Sequence, residues 1–266
     1  MSAAPESDIP RARRVGPQGV RVRVARARAQ AEKSVARLVA GELVARPSLV
    51  LGLPTGGTPA GVYRELVRLH REEHLSFGGA STFNVDEYLG LRADHPASFR
   101  AEMERALFDH VDVRAERVHF PDVDGGVETA HESAARYESA IAAAGGIDLL
   151  LLGVGRNGHV GFNEPGSPRD SRTRLVELHA DTRRDAVRAF GGLARVPTHA
   201  ITMGIATLCD ARRIVVLAFG AAKRDVVQRM LLDPIDAATP VTFVRAHSNV
   251  EVWLDEEAAA GLSEPP

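Results

Sequence analysis

His159 and Glu164 lie close together in the glycine-rich stretch GVGRNGHVGFNEP at 153–165. An imidazole exchanges protons near neutral pH, and a neighbouring carboxylate can fix its tautomer and orientation. Gly155, Gly158 and Gly161 permit tight turns and close approach of a ligand. The loop alone reads equally as an active site or as a connector whose histidine caps a helix. Three other stretches carry groups that could do chemistry. In PTGGTP at 54–59, Thr55, Gly56, Gly57 and Thr58 precede a helix, where free backbone N–H groups and the helix dipole favour an anion. That stretch is neither GxxxxGKS nor GxGxxG, so it also fits a tight turn with a good helix cap. In FNVDEY at 83–88, Asp86 and Glu87 leave a strand together. Adjacent residues of a strand diverge, so at most one faces a ligand as a general base while the other is structural. Lys223 sits in the first turn expected of a helix, where the dipole disfavours a cation. It reads as the partner of an anion or as an ordinary surface lysine.

Each of the four groups follows an expected strand. Apolar residues at helical spacing (Val35, Leu38, Val39, Leu43) predict a helix over 27–45 that ends at Arg46-Pro47, and 49–53 reads as a short buried strand. A helix over 59–73 follows, with Thr58 and Pro59 at the cap and first helical positions. The alternation continues with a strand over 81–85, helices over 97–110 and 127–144, strands over 147–154 and 213–219, and a helix over 221–232. Such alternation predicts an α/β fold with an open, mostly parallel sheet and helices on both faces. In such a sheet the strand ends converge on one crevice. Residues 166–196 break the rhythm with many charges and Gly191-Gly192, which suits a partly helical lid or a plain surface excursion.

Bulk properties exclude several classes. The 266 residues, 44% hydrophobic, are enough for one large α/β domain, here 19–266, preceded by a disordered tail at 1–18 that is rich in proline and arginine. With 33 basic and 35 acidic residues the net charge is -2, which invites neither nucleic acid nor an anionic membrane. Cys209 is the only cysteine, so an intrachain disulfide and Cys-rich zinc sites are excluded and a reducing cytoplasm is expected. No apolar run reaches eighteen residues and no signal-like segment opens the chain.

Taken together, LGLPTGGTP, FNVDEYLGL, GVGRNGHVGFNEP and the Lys223 segment, in this order and spacing, resemble the glucosamine-6-phosphate deaminase family over roughly 20–255. The resemblance implies a Rossmann-like fold without cofactor or metal. It also implies conversion of glucosamine 6-phosphate and water to fructose 6-phosphate and ammonia. It makes Asp86 the base that moves a proton from C2 to C1, and His159 the group that opens the sugar ring, tuned by Glu164. The phosphate would lie against Thr55, Gly56, Gly57 and Thr58, with charge from Lys223 and from Arg188 in the lid.

Two departures from the family pattern matter. Some members have an acid two residues before the histidine; here that place holds Asn157, which can orient His159 but brings no charge, so His159 is expected to be less basic than in those members. Allosteric members carry a lysine where this chain has Val176 and a later tyrosine, whereas the last tyrosine here is Tyr137. Ser167 and Arg174 match the effector site, but those two parts do not. Activation by N-acetylglucosamine 6-phosphate is therefore not expected, and monomer and homo-oligomer both stay open. Related 6-phosphogluconolactonases read more like DER and GHTASLFP at the matching segments. A galactosamine-6-phosphate deaminase would share all these motifs. A sugar-phosphate-sensing regulator would need a helix-turn-helix, for which too few residues precede the first helix.

Overall fold

A computed structural model describes residues 9–262. Its strands are β1 (Ala12–Val15), β2 (Val20–Ala25), β3 (Val50–Leu53), β4 (Ser81–Asn84), β5 (Asp86–Tyr88), β6 (Val118–His119), β7 (Leu149–Gly153), β8 (Arg174–Glu177), β9 (His199–Thr202), β10 (Ile214–Ala218) and β11 (Val250–Asp255). The helices are α1 (Arg28–Ala45), α2 (Ala60–Glu73), α3 (Phe99–Ala106), α4 (Val127–Ala143), α5 (Ala180–Phe190), α6 (Ile205–Cys209), α7 (Arg224–Leu232), α8 (Val241–Arg245) and α9 (Glu256–Ala259).

Eight strands form the main sheet in the order β1-β2-β11-β10-β7-β3-β4-β6, parallel throughout except for the β1–β2 hairpin. The α/β class and the mostly parallel open sheet expected from the alternation are present. β7 shows why such a sheet needs a helical layer on each face. Leu149 and Leu151 join one core cluster with Val35, Val39 and Leu43 of α1 and Leu66 of α2, while Leu150 and Leu152 join the other with Ile141 of α4 and Val227 and Met230 of α7. None of these four leucines is more than 1% exposed. Burying each contributes roughly 1.5–3 kcal/mol.

Chain order sets the position of the site. From β3 the chain steps outward to β4 and β6, then returns to the other side of β3 as β7 and continues to β10 and β11. The loops after β3 and β7 therefore part company, and a crevice opens above the carboxyl ends of these two strands. β4 does not simply end there. The Val85 N–H donates to Leu53 of the main sheet (3.1 Å), while its carbonyl accepts from Met203 N–H (2.8 Å) at the end of β9. Asp86 stands directly after this joint, where the chain enters a second, antiparallel sheet of order β5-β9-β8.

The structure corrects several sequence expectations. Part of the expected tail is ordered: Ala12–Val15 pairs with Val20–Ala25, with Val15, Val20 and Val22 buried. The arginines read as a mark of disorder suit an edge strand instead, whose charged side chains discourage further pairing. Residues 1–8 of that tail lie outside the described residues. The 97–110 helix is shorter, running over Phe99–Ala106 before a 3₁₀ turn at Phe108–His110. The 221–232 helix opens with a 3₁₀ turn at Ala221–Lys223, so Lys223 stands at the junction before α7. The irregular segment 166–196 contains β8 as well as α5. No described helix is long and apolar enough to cross a membrane.

Candidate active site

The crevice holds a cavity of about 230 Å³ lined by Thr55, Gly56, Gly57 and Thr58 after β3, Gly153 to Gly155 and His159 after β7, Asp86, and Lys223. Phe99 and Phe162 close its apolar side. The four sequence stretches thus meet at one place.

Asp86 and Glu87, indistinguishable by adjacency, have different surroundings. Glu87 turns away from the cavity and accepts the N–H groups of Tyr88 (2.9 Å), Phe99 (3.0 Å) and Arg100 (2.8 Å), two of them in the first turn of α3. Those N–H groups have no partner within the helix, so a carboxylate satisfies them and complements the dipole. Burial raises the Glu87 carboxyl, and the three donors pull against that rise. Asp86 is 5% exposed and lines the cavity, and no described side chain or backbone group hydrogen-bonds its carboxylate. Burial, reinforced by the Glu87 and Glu102 carboxylates, holds Asp86 well above the usual carboxylate range. Gly161, at φ +57°, lies over it; a Cβ there would come within 2.8 Å of Val85 and 3.1 Å of Asp86 Oδ2. Only glycine fits this approach without displacing the acid.

The His159 ring lies on the Gly155 backbone, close enough that a Cβ on Gly155 would sit 2.2 Å from Cε1. Its Nδ1 is 3.5 Å from Glu164 Oε2 and, although buried, makes no hydrogen bond. Glu164 is instead held from two other sides: Asn157 Nδ2 donates to Oε2 (2.7 Å), and Thr182 of α5 donates to Oε1. Burial pushes the Glu164 carboxyl up, but His159, Thr182 and Asn157 outweigh it and bring it down to about 2. Asn157 does not bond the imidazole; its carbonyl accepts the backbone N–H of His159 (3.1 Å), so it braces the loop and Glu164. The orienting part expected of Asn157 is therefore indirect.

Lys223 Nζ donates to the Val154 carbonyl (2.8 Å), which holds the ammonium at the cavity wall. Burial lowers its pKa, aided by the nearby Arg156. Arg188 is not brought in. It is exposed on α5 and is not among the lining residues. Three residues of the site escaped the sequence reading. Thr182 reaches Glu164 from α5, Glu102 of α3 accepts the Gly56 N–H (2.9 Å), and Arg28 of α1 donates to the Gly57 carbonyl. Helical spacing could have placed Glu102 on α3, but nothing in the sequence aims it at a loop 46 residues earlier. Among the described residues, no three His, Cys, Asp or Glu side chains converge to hold a metal ion.

A buried carboxylate, an imidazole, a lysine and an open backbone cradle around one cavity suit proton transfer on a small anionic substrate. Comparison with known proteins narrows this. The model of the family described as glucosamine-6-phosphate isomerases/6-phosphogluconolactonase matches residues 23–253. A glucosamine-6-phosphate deaminase of Rhodopirellula baltica is 46% identical over 232 residues, 87% of this chain and 92% of that protein. Among solved structures, a monomeric glucosamine-6-phosphate deaminase superposes with a TM-score of 0.86 at 39% identity, covering 90% of this chain and 99% of that one. The 6-phosphogluconolactonase of Trypanosoma brucei superposes at 0.74 with 23% identity, over 91% of this chain and 98% of that one, a likeness of fold.

Proposed function

The chain belongs to the family of glucosamine-6-phosphate isomerases and 6-phosphogluconolactonases, and from that premise we propose that it is a glucosamine-6-phosphate deaminase. It converts glucosamine 6-phosphate and water to fructose 6-phosphate and ammonia. The observation that carries the assignment is the Asp86 carboxylate, buried and without a hydrogen-bond donor, in the same cavity as His159, Lys223 and the Thr55–Thr58 backbone.

The chemistry follows from what each group can do. Opening the pyranose moves the proton of the C1 hydroxyl to the ring oxygen, a transfer that suits the His159 imidazole. Glu164, ionised and fixed by Asn157 and Thr182, stands ready to steady positive charge on that ring. The open-chain sugar is a 2-amino aldehyde. Asp86 removes the proton from C2 and returns it to C1 while a proton passes from the amine to O1, so that C1 becomes an alcohol and C2 an imine; water then hydrolyses the imine to the ketone and releases ammonia. One carboxylate poised over both carbons suffices, and its raised pKa makes it a stronger base once deprotonated. Thr55, Gly56, Gly57, Thr58 and Lys223 take the phosphate, whose binding orients the reacting carbons. Arg188 adds its charge when the 166–196 lid moves inward.

We place the enzyme in the cytoplasm, where a lone cysteine stays reduced. The reading is tested by an ammonia-release assay with glucosamine 6-phosphate, galactosamine 6-phosphate and 6-phosphogluconolactone in parallel. Ammonia from the first is expected. Hydrolysis of the lactone without ammonia from either amino sugar would overturn the assignment.

A further inference from the structure

The loop proposed to cradle the phosphate already has an anion on it. The Gly56 N–H donates to Glu102 Oε1 across 2.9 Å. Glu102 is half-buried on α3, a helix whose first turn is fastened to Glu87 and whose Ser98 cap accepts from Ala101 (3.0 Å). The carboxylate is therefore delivered to the cradle by an anchored element. From the other side Arg28 donates to the Gly57 carbonyl. A Cβ built on Gly56 or Gly57 would meet nothing within 4 Å, so the backbone between these two contacts is open to a ligand.

A backbone N–H held by a carboxylate is not free for phosphate, and a dianion approaching that carboxylate is repelled. Resting on the reading of Thr55–Thr58 as the phosphate cradle, we propose that Glu102 is a built-in competitor for the substrate's phosphate, contending with it for the Gly56 N–H and weakening phosphate affinity. The charge of Glu102 also reaches the proton-transfer end of the cavity, where it is one of the groups that raise Asp86. The titratable groups around Asp86 are Glu87 and Tyr88 on its own strand, Glu102 from α3, Tyr137 from α4, and His159 and Lys223 on the cavity wall. Glu102 thus acts at both ends: it loosens the phosphate and helps keep Asp86 a strong base.

Glu102→Gln removes the charge but keeps an oxygen to accept the Gly56 N–H; Glu102→Ala removes both. Inorganic phosphate should bind each variant on the order of tenfold more tightly than wild type by calorimetric titration. In Glu102→Gln the acid limb of kcat/KM should also move to lower pH, because Asp86 loses a like-charged neighbour. A residue that merely braced the loop would give the opposite pattern, with weaker phosphate binding in Glu102→Ala and an unmoved acid limb, and that result would overturn the proposal. Phosphate that competes with glucosamine 6-phosphate but binds wild type and Glu102→Gln equally would sink the role of Glu102 alone. Phosphate that fails to compete at all would sink the cradle as well.

Discussion

Asp86 is costly to the folded chain and useful for that reason. Its carboxylate is buried without a donor, so the folded protein holds the proton more tightly than the unfolded chain does. Stability from this group is full below the ordinary value of 3.8 and is lost as pH rises through the raised folded value. Asp86→Asn should therefore lose about 10²- to 10⁴-fold or more in turnover, and its thermal midpoint should overtake that of wild type as pH rises from 4 to 7. Turnover above half of wild type would remove Asp86 from its role; a midpoint difference that does not grow with pH would contradict its burial as a base. His159→Gln makes a separate prediction: reaction from the cyclic sugar should slow far more than reaction from an open-chain analogue, and equal impairment would rule out ring opening as its task. At this scale the sequence carried the residue types but not their directions. Which of Asp86 and Glu87 faces the cavity is decided by α3, whose Phe99 and Arg100 N–H groups claim Glu87. Thr182 was invisible for the same reason, since its partner Glu164 comes from a loop before β8.

Among the elements, α5 is the one whose position matters most. Thr182 ties it to Glu164, and Asp185 pairs with Arg156 at 3.1 Å, so the helix holds the His159 loop at two points, while Arg188 is exposed and outside the cavity lining. Lys223→Ala should weaken binding of an inert phosphosugar by about ten- to a hundredfold, the loss of one charge-assisted contact of roughly 1.5–3 kcal/mol. Arg188→Ala should do the same, because the proposed inward movement of α5 brings its charge to the phosphate. An unchanged titration for Lys223→Ala would refute the phosphate contact; one for Arg188→Ala would show that α5 stays where it is. The long helices α1, α2, α4 and α7 and the strands β3, β4, β7 and β10 are legible because their apolar periods are long or unbroken, whereas β2, β6, β11 and the short α6, α8 and α9 carry no such signal. β5, β8 and β9 are not legible either: each is three or four residues long, and their pairing is set by the chain turning at Val85, not by any pattern within them. β1 was misread because edge-strand arginines and tail arginines look alike.

For the molecule as a whole, the order of the strands does what no single motif could, gathering four loops above the point where the sheet changes direction. Regulation also belongs to this scale. Arg174 and Ser167, the two residues that match the effector site of allosteric relatives, are occupied inside the chain: Arg174 donates to Asn163 Oδ1 (2.8 Å) and to Ser167 Oγ (3.2 Å). Val176, in place of a lysine, is half-buried against an apolar cluster. An effector acts only through different affinities for two states, and little is left here to supply them. Initial rates should be hyperbolic in substrate and unchanged by N-acetylglucosamine 6-phosphate; a sigmoidal curve made hyperbolic by that compound would show that an effector site survives in another form. The most direct test of the account is the stoichiometry of one reaction, glucosamine 6-phosphate with purified wild type and with Asp86→Asn, following ammonia and fructose 6-phosphate together. Wild type should release the two in equal amounts and the variant should release almost neither. Equal release by both proteins, or ammonia without fructose 6-phosphate, would contradict proton transfer by Asp86 as the centre of this site.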